Sequence, residues 1–250
     1  MEYALLTALG VGGATIIGAG IGFLFKSVSH KLNDAMLSFA AGVMLAAAIT
    51  GLIQPSIEMG GPHGIWITVL GIFVGAVFLS FADRFTPHLH NIAGIDSEKH
   101  AHNEGLNKIL LFVLAIAIHN LPEGIAAGVA AGQGEVANSI TVTVGIMLQN
   151  IPEGMIVICP LVAAGVSKGR AFFLAAMTGV IEIIGTMIGF FAVSIASAIL
   201  PFALAFAGGT MLYVIGDEMI PETHSHGYER LATYSLLAGF ALMLIIDFYI

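Results

Sequence analysis

Two hexads decide how this chain is read: His119-Asn120-Leu121-Pro122-Glu123-Gly124 and Gln149-Asn150-Ile151-Pro152-Glu153-Gly154. They share Asn, Pro, Glu and Gly at matching positions and start 30 residues apart. Each lies near the middle of an apolar run long enough to cross a bilayer, which takes about 20 residues. Mid-membrane is where an ionisable group is most expensive, so a matched pair there marks a polar site.

The rest of the chain agrees with a membrane setting. Hydrophobic residues fill 58% of 250 positions and charged residues 10%, against roughly 25% charged in a soluble domain. So few charges cannot cover a water-facing surface, and lipid must cover most of it. The net charge of −8, with only eight Lys and Arg, excludes nucleic acid as a partner. The single cysteine, Cys159, rules out an internal disulfide or a thiolate cluster. Met1-Glu2-Tyr3 carries no basic segment, so the first apolar run is expected to be a retained span.

Outward from the hexads, breaks at charge and Gly/Pro clusters predict an all-α membrane protein of eight transmembrane helices in one domain, 1–250. The runs fall near 3–25, 35–55, 64–84, 106–131, 138–163, 170–194, 201–220 and 231–249, with only Pro201 separating the sixth from the seventh. Lys26, Lys31, Arg84, Lys99, Lys108, Lys168, Arg170 and Arg230 then all fall on one side. The positive-inside rule makes that side the cytoplasm and places both termini outside. The outer loops hold only Glu2, Glu58, Glu135 and Asp247. They either concentrate cations or simply reflect exclusion of Lys and Arg from that face. The pairs Gly18/Gly22, Gly71/Gly75 and Gly185/Gly189 are expected to bring helix backbones together. No GxxxxGK[ST] sequence occurs, so no ATP-driven engine is visible.

Helical spacing turns the hexads into a candidate site. Residues three or four apart share a helix face. His119 and Asn120 therefore face the same way as Glu123, and Gln149 and Asn150 the same way as Glu153. Pro122 and Pro152 cannot donate to the carbonyls of Ile118 and Leu148, which predicts a kink and free backbone oxygen. If the hexads face each other they offer an imidazole, two carboxylates and three amides. That N/O mixture suits Zn²⁺, with Fe²⁺, Mn²⁺ and Cd²⁺ also accommodated, and the lack of sulfur argues against Cu⁺. Two carboxylates match the charge of one divalent ion. The other reading of the same residues is a pair of proline-kinked packing helices with internally bonded polar groups.

The paired hexads resemble the signature of the ZIP family of divalent metal-ion transporters, and the QNIPEG form is similar to its bacterial GufA-type branch. The resemblance extends to the span count, the outward termini and the histidine-bearing loop after span 3. It implies one metal position at His119, Glu123, Gln149 and Glu153. An adjoining position would use Asn120, Glu123, Asn150, Glu153 and Glu182, with both hexad glutamates bridging. It also implies that spans 1–3 and 6–8 are inverted repeats around spans 4 and 5, in a bacterial plasma membrane. Gln149 stands where many eukaryotic relatives carry histidine, which lowers the nitrogen-donor count.

Glu182 lies mid-run in Val180-Ile181-Glu182-Ile183-Ile184 and reads either as a metal or proton group or as a protonated, hydrogen-bonded acid. On the cytoplasmic side, His88, His90, His100 and His102 form two His-x-His pairs, able to hold a divalent ion weakly or to be a solvated loop. Asp217, Glu218, Glu222, His224 and His226 follow span 7. Of these, Asp217 and Glu218 resemble the family's acidic exit. His30 and His63 read as plain loop histidines, and Met44 and Met177 as packing residues. The expected function is zinc uptake through the paired hexads, with no bound cofactor. Divalent cations and lipid are the partners, and a homodimer is allowed. The alternatives are a non-conducting metal receptor or scaffold, and an intramembrane metallopeptidase, for which the His-Glu-x-x-His helix is missing.

Overall fold

A computed structural model describes residues 1–24, 29–83, 120–134, 136–163, 166–195 and 197–250. Every regular element among them is helical. We number α1 (Glu2–Gly22), α2 (His30–Ala46), α3 (Gln54–Met59), α4 (Gly64–Asp83), α5 (120–132), α6 (Val136–Ala163), α7 (Lys168–Ile195), α8 (Leu200–Val214), α9 (Ile220–Thr223) and α10 (Glu229–Tyr249). Among the described residues, seven stretches are long and apolar enough to cross a membrane: Glu2–Gly22, His30–Met59, Gly61–Phe81, Val136–Ile158, Lys168–Val193, Leu200–Thr223 and Glu229–Tyr249. Of the run expected at 106–131, the first part lies outside the described residues and the rest is α5.

Local chemistry explains the departures from the expected runs. The run placed at 35–55 belongs to a helix that begins at His30, because the Ser29 side chain accepts from the Leu32 N–H at 3.3 Å and caps the first turn. That turn is polar, so hydropathy alone passes over it. Near Pro201, α7 ends at Ile195 and α8 begins at Leu200, with the proline in the first helical turn, where its missing N–H costs nothing. Two π-helical turns were not anticipated: Ala47–Ile53 between α2 and α3, and Ile215–Met219 between α8 and α9. Each is followed by a proline, Pro55 and Pro221. A wider turn spares the proline ring its clash with the preceding carbonyls. By contrast, α6 runs unbroken through Pro152.

Glycines set which helices touch backbone to backbone. Gly18 of α1 faces the Ile151 carbonyl of α6, and Gly154 of α6 faces the Thr15 carbonyl of α1. Gly185 and Gly189 of α7 back onto Leu121 and Ile125 of α5. Gly42 of α2 meets Leu236 of α10, and Gly75 of α4 meets Phe206 of α8. With no hydrophobic drive between helices in lipid, such close approach is what holds a bundle together. The contacts join α6, α1, α7 and α5 in one group, with Gly12 of α1 against Gly179 of α7, and leave α2–α10 and α4–α8 as two further pairs. Between the groups, Gly51 meets only side chains of α6, and Gly145 of α6 meets the Met243 side chain and the Ala47 Cβ.

Lys31, Lys168, Arg170 and Arg230 all sit at or near helix starts, at the end of the bundle where α1 and α6 finish. Gly134, at φ 83°, makes the tight reversal between α5 and α6 that a side chain would strain. The two hexad helices are thereby antiparallel neighbours in sequence.

Candidate functional site: a carboxylate shared by the two hexads

Glu182, wholly buried in the middle of α7, joins the two hexads. Its Oε1 accepts from the side-chain amide of Asn120 on α5. Its Oε2 accepts from Asn150 Nδ2 on α6 at 2.7 Å. Asn120 and Asn150 hold the same position in their hexads, each three residues before the glutamate. One carboxylate thereby ties both hexads to α7, and helical spacing puts Glu123 and Glu153 each on the same face of its own helix as its asparagine. Glu123 is buried and Glu153 half-buried.

The amides are polarised by this arrangement. Each asparagine gives its NH₂ to Glu182, so its oxygen is left for another partner. The Asn120 and Asn150 Oδ1 atoms are buried and have no hydrogen-bond partner among the described residues, and the same holds for Gln149 Oε1 and Nε2. An unmatched buried polar atom costs about 1–3 kcal/mol. Three such amide oxygens, beside two carboxylates, are the chemistry of an oxygen-rich cation site. No three His, Cys, Asp or Glu side chains among the described residues come together as a metal cluster by themselves. The set here is built partly of amides, and His119 lies outside the described residues.

Known proteins resemble this chain along almost its whole length. The family described as ZIP Zinc transporter matches residues 105–247. The zinc transporter GufA of Myxococcus xanthus is 39% identical, covering 99% of this chain and 98% of its own length. The zinc transporter ZIPB of Bordetella bronchiseptica is 38% identical over 98% of this chain and 80% of its own. The human zinc transporter ZIP11 is 32% identical over 98% and 96%. The chain belongs to the ZIP family. That family is one of transporters, which sets the metallopeptidase reading aside.

Two glycines of the ZIP hexads assemble the site. A Cβ at Gly124 would lie 2.3 Å from the Glu182 carbonyl oxygen, and one at Gly154 would lie 2.3 Å from that of Thr15. Absence of a side chain at these positions therefore lets α7 and α1 close on the hexads. Thr15 then donates to both Glu182 oxygens, at 2.8 and 2.9 Å. Nothing in the apolar sequence of α1 singled out Thr15; only the fold brings it to Glu182.

At the end of the bundle opposite the basic residues, a cavity of about 240 Å³ is lined by Thr50, Gln54, Glu58, Asn138, Thr141 and Asp247. Two of the acids expected on the outer face, Glu58 and Asp247, thus share one opening. Asn138 donates to the Gly51 carbonyl at 3.0 Å and to Gln133 at 2.8 Å, tying the π turn of Ala47–Ile53 to α6. Thr141, Gly145 and Gln149 follow one face of α6 from this cavity to the hexad, and Met243 and Ala47 cover Gly145.

At the basic end, Asp217 is exposed and Glu218 half-buried within the second π turn. Glu222 lies 3.9 Å from His226 Nε2. His224 is taken up locally, its ring nitrogens bonding the Ile220 carbonyl at 2.9 Å and Thr233 at 3.2 Å. His226 instead reaches the fully buried Asp34 of α2 at 3.0 Å and stacks on His30, ring centres 4.5 Å apart. His30 is therefore part of a cluster rather than a plain loop residue, and Asp34 was missed because its partner is 192 residues away. His88, His90, His100 and His102 lie outside the described residues.

Proposed function

We propose that this protein carries zinc across a bacterial plasma membrane toward the cytoplasm, binding it between the two hexads near the membrane's midplane. The observation that supports this is the grip of one buried carboxylate on both hexad asparagines, which leaves their oxygens buried and without a hydrogen-bond partner among the described residues. Membership of a zinc-transporter family, with relatives named for zinc along nearly the whole chain, supports zinc over Cd²⁺, Fe²⁺ or Mn²⁺.

The cation is drawn to the Glu58/Asp247 cavity by two carboxylates and passes the Met243–Gly145 contact. It exchanges water for His119, Glu123, Gln149 and Glu153, with an adjoining position at Asn120, Asn150, the shared glutamates and Glu182. It leaves past Asp217, Glu218 and Glu222. Eight spans put the basic end in the cytoplasm and both termini outside.

The helix pairings favour an inverted repeat. Exchanging α1 with α7, α6 with α5, α2 with α8 and α10 with α4 converts the pairs α1–α6 and α2–α10 into α7–α5 and α8–α4. The described donors all lie on α5, α6 and α7, and glycine contacts tie α6 and α7 to α1 and α5 to α7 backbone to backbone. The test is flux into liposomes carrying a metal-sensitive dye. Glu123→Ala and Glu153→Ala should abolish zinc uptake in protein that still purifies as a single folded species. Undiminished uptake in both defeats the proposal.

A further inference from the structure

We infer that Thr15 is a positioning residue for metal selectivity: through Glu182 it holds Asn120 and Asn150 with their oxygens toward the cation. The inference rests on the metal site proposed above and assigns a role to α1, which carries none of the hexad residues.

The argument starts from donor and acceptor chemistry. The Glu182 side chain lies between four polar groups. Thr15 is on one side, the two asparagine amides are on the other, and Glu153 lies within electrostatic reach. A threonine hydroxyl has one hydrogen, and here it is shared between both carboxylate oxygens at 2.8 and 2.9 Å. That symmetric contact centres the carboxylate, so each oxygen keeps an outward lone pair for one asparagine. Asn150 is held further by a second bond from Nδ2, to the Val11 carbonyl at 3.2 Å. Its NH₂ is thus fully engaged by α7 and α1, and only its oxygen is left for the hexad side.

An amide can present either end at little cost unless something fixes it. Presented with NH₂ forward, Asn120 or Asn150 would repel a cation; presented with oxygen forward, it is a neutral hard donor. Thr15 therefore controls how many oxygen donors the site offers without touching the cation. Its own place is set by the close approach of Gly154 to its carbonyl and of Gly12 to Gly179, so it does not depend on bound metal. A hydroxyl on an apolar helix commonly bonds back to its own chain, as Thr178 and Thr186 do. The Thr15 hydroxyl bonds instead across to α7.

The test uses purified protein in liposomes with Thr15→Val, which keeps the shape and removes the hydroxyl, and Thr15→Ser, which keeps the hydroxyl. Leaving a buried acceptor without its donor corresponds to roughly a tenfold change. Thr15→Val is expected to raise the KM for Zn²⁺ about tenfold with maximal flux little changed. It should also lower uptake of the harder Mn²⁺ relative to Cd²⁺, because oxygen donors are lost while His119 remains. Thr15→Ser should restore both the KM and the ratio. Unchanged KM and ratio in a folded Thr15→Val protein overturn the inference, as does equal impairment of the Val and Ser variants. If Thr15→Val does not fold, Thr15→Ala against Thr15→Ser gives the same comparison. The parent reading fails separately, by wild-type protein that moves no divalent metal or by Glu123→Ala that moves it undiminished.

Discussion

Replacing Gly124 by alanine tests how the site is assembled. The added Cβ would sit 2.3 Å from the Glu182 carbonyl oxygen and 2.9 Å from its carbonyl carbon and Cα, where ordinary contact begins at 3.4 Å. The obstacle is backbone of a neighbouring helix, so no rotamer change relieves it, and α7 must retreat from α5 by about 1 Å. Overpacking of this kind costs about 1–3 kcal/mol, offset in part by roughly 1 kcal/mol of helix propensity gained over glycine. The melting midpoint should fall modestly. Function should suffer more, because the same retreat opens the bond from Asn120 to Glu182. Leaving these buried groups unmatched costs about 1–3 kcal/mol, which corresponds to a rise in KM for zinc of roughly 5- to 100-fold. The assay is initial zinc uptake into liposomes across a concentration series, beside thermal melting of the same preparations. Gly20→Ala is the control, since nothing lies within 4 Å of a Cβ there, and it should behave as wild type. Wild-type KM and melting for Gly124→Ala would refute the claim that this contact places Glu182.

Two further outcomes follow from the ends of the molecule. Glu58→Gln with Asp247→Asn removes the carboxylates of the cavity between Thr50, Asn138 and Thr141; uptake at low zinc should fall several-fold at low ionic strength, and the difference should shrink in added salt. Asp34→Ala leaves His226 without its buried partner and should lower the melting midpoint by the equivalent of about 1–3 kcal/mol, whereas Lys31→Ala on the exposed first turn should not.

Much of this arrangement was legible in the residues. Spacing within each hexad told which side chains share a face, and the matching order of Asn, Pro, Glu and Gly told that two such faces belong together. The Gly18/Gly22, Gly71/Gly75 and Gly185/Gly189 pairs marked where backbones touch, and the structure seats them on α6, α8 and α5. Long-range pairings were not legible. Thr15 and Glu182 are 167 residues apart, and a threonine in an apolar helix ordinarily bonds its own backbone. The π turns left only an indirect mark, Pro55 and Pro221, because a proline signals strain without saying whether the helix kinks or widens. Pro152 shows the ambiguity, since α6 passes through it unbroken. Asp34 drew no reading from the sequence and His226 was only one of the polar residues after span 7; packing of α2 against the segment after α9 brings them together.

The account depends most on one cation bound by both hexads. Anomalous diffraction at the zinc edge from zinc-loaded crystals measures this directly. The prediction is a peak about 2.0–2.2 Å from carboxylate oxygens of Glu123 and Glu153, with an asparagine oxygen turned toward it. Strong density elsewhere, with those two carboxylates pointing apart and no peak between them, would contradict it.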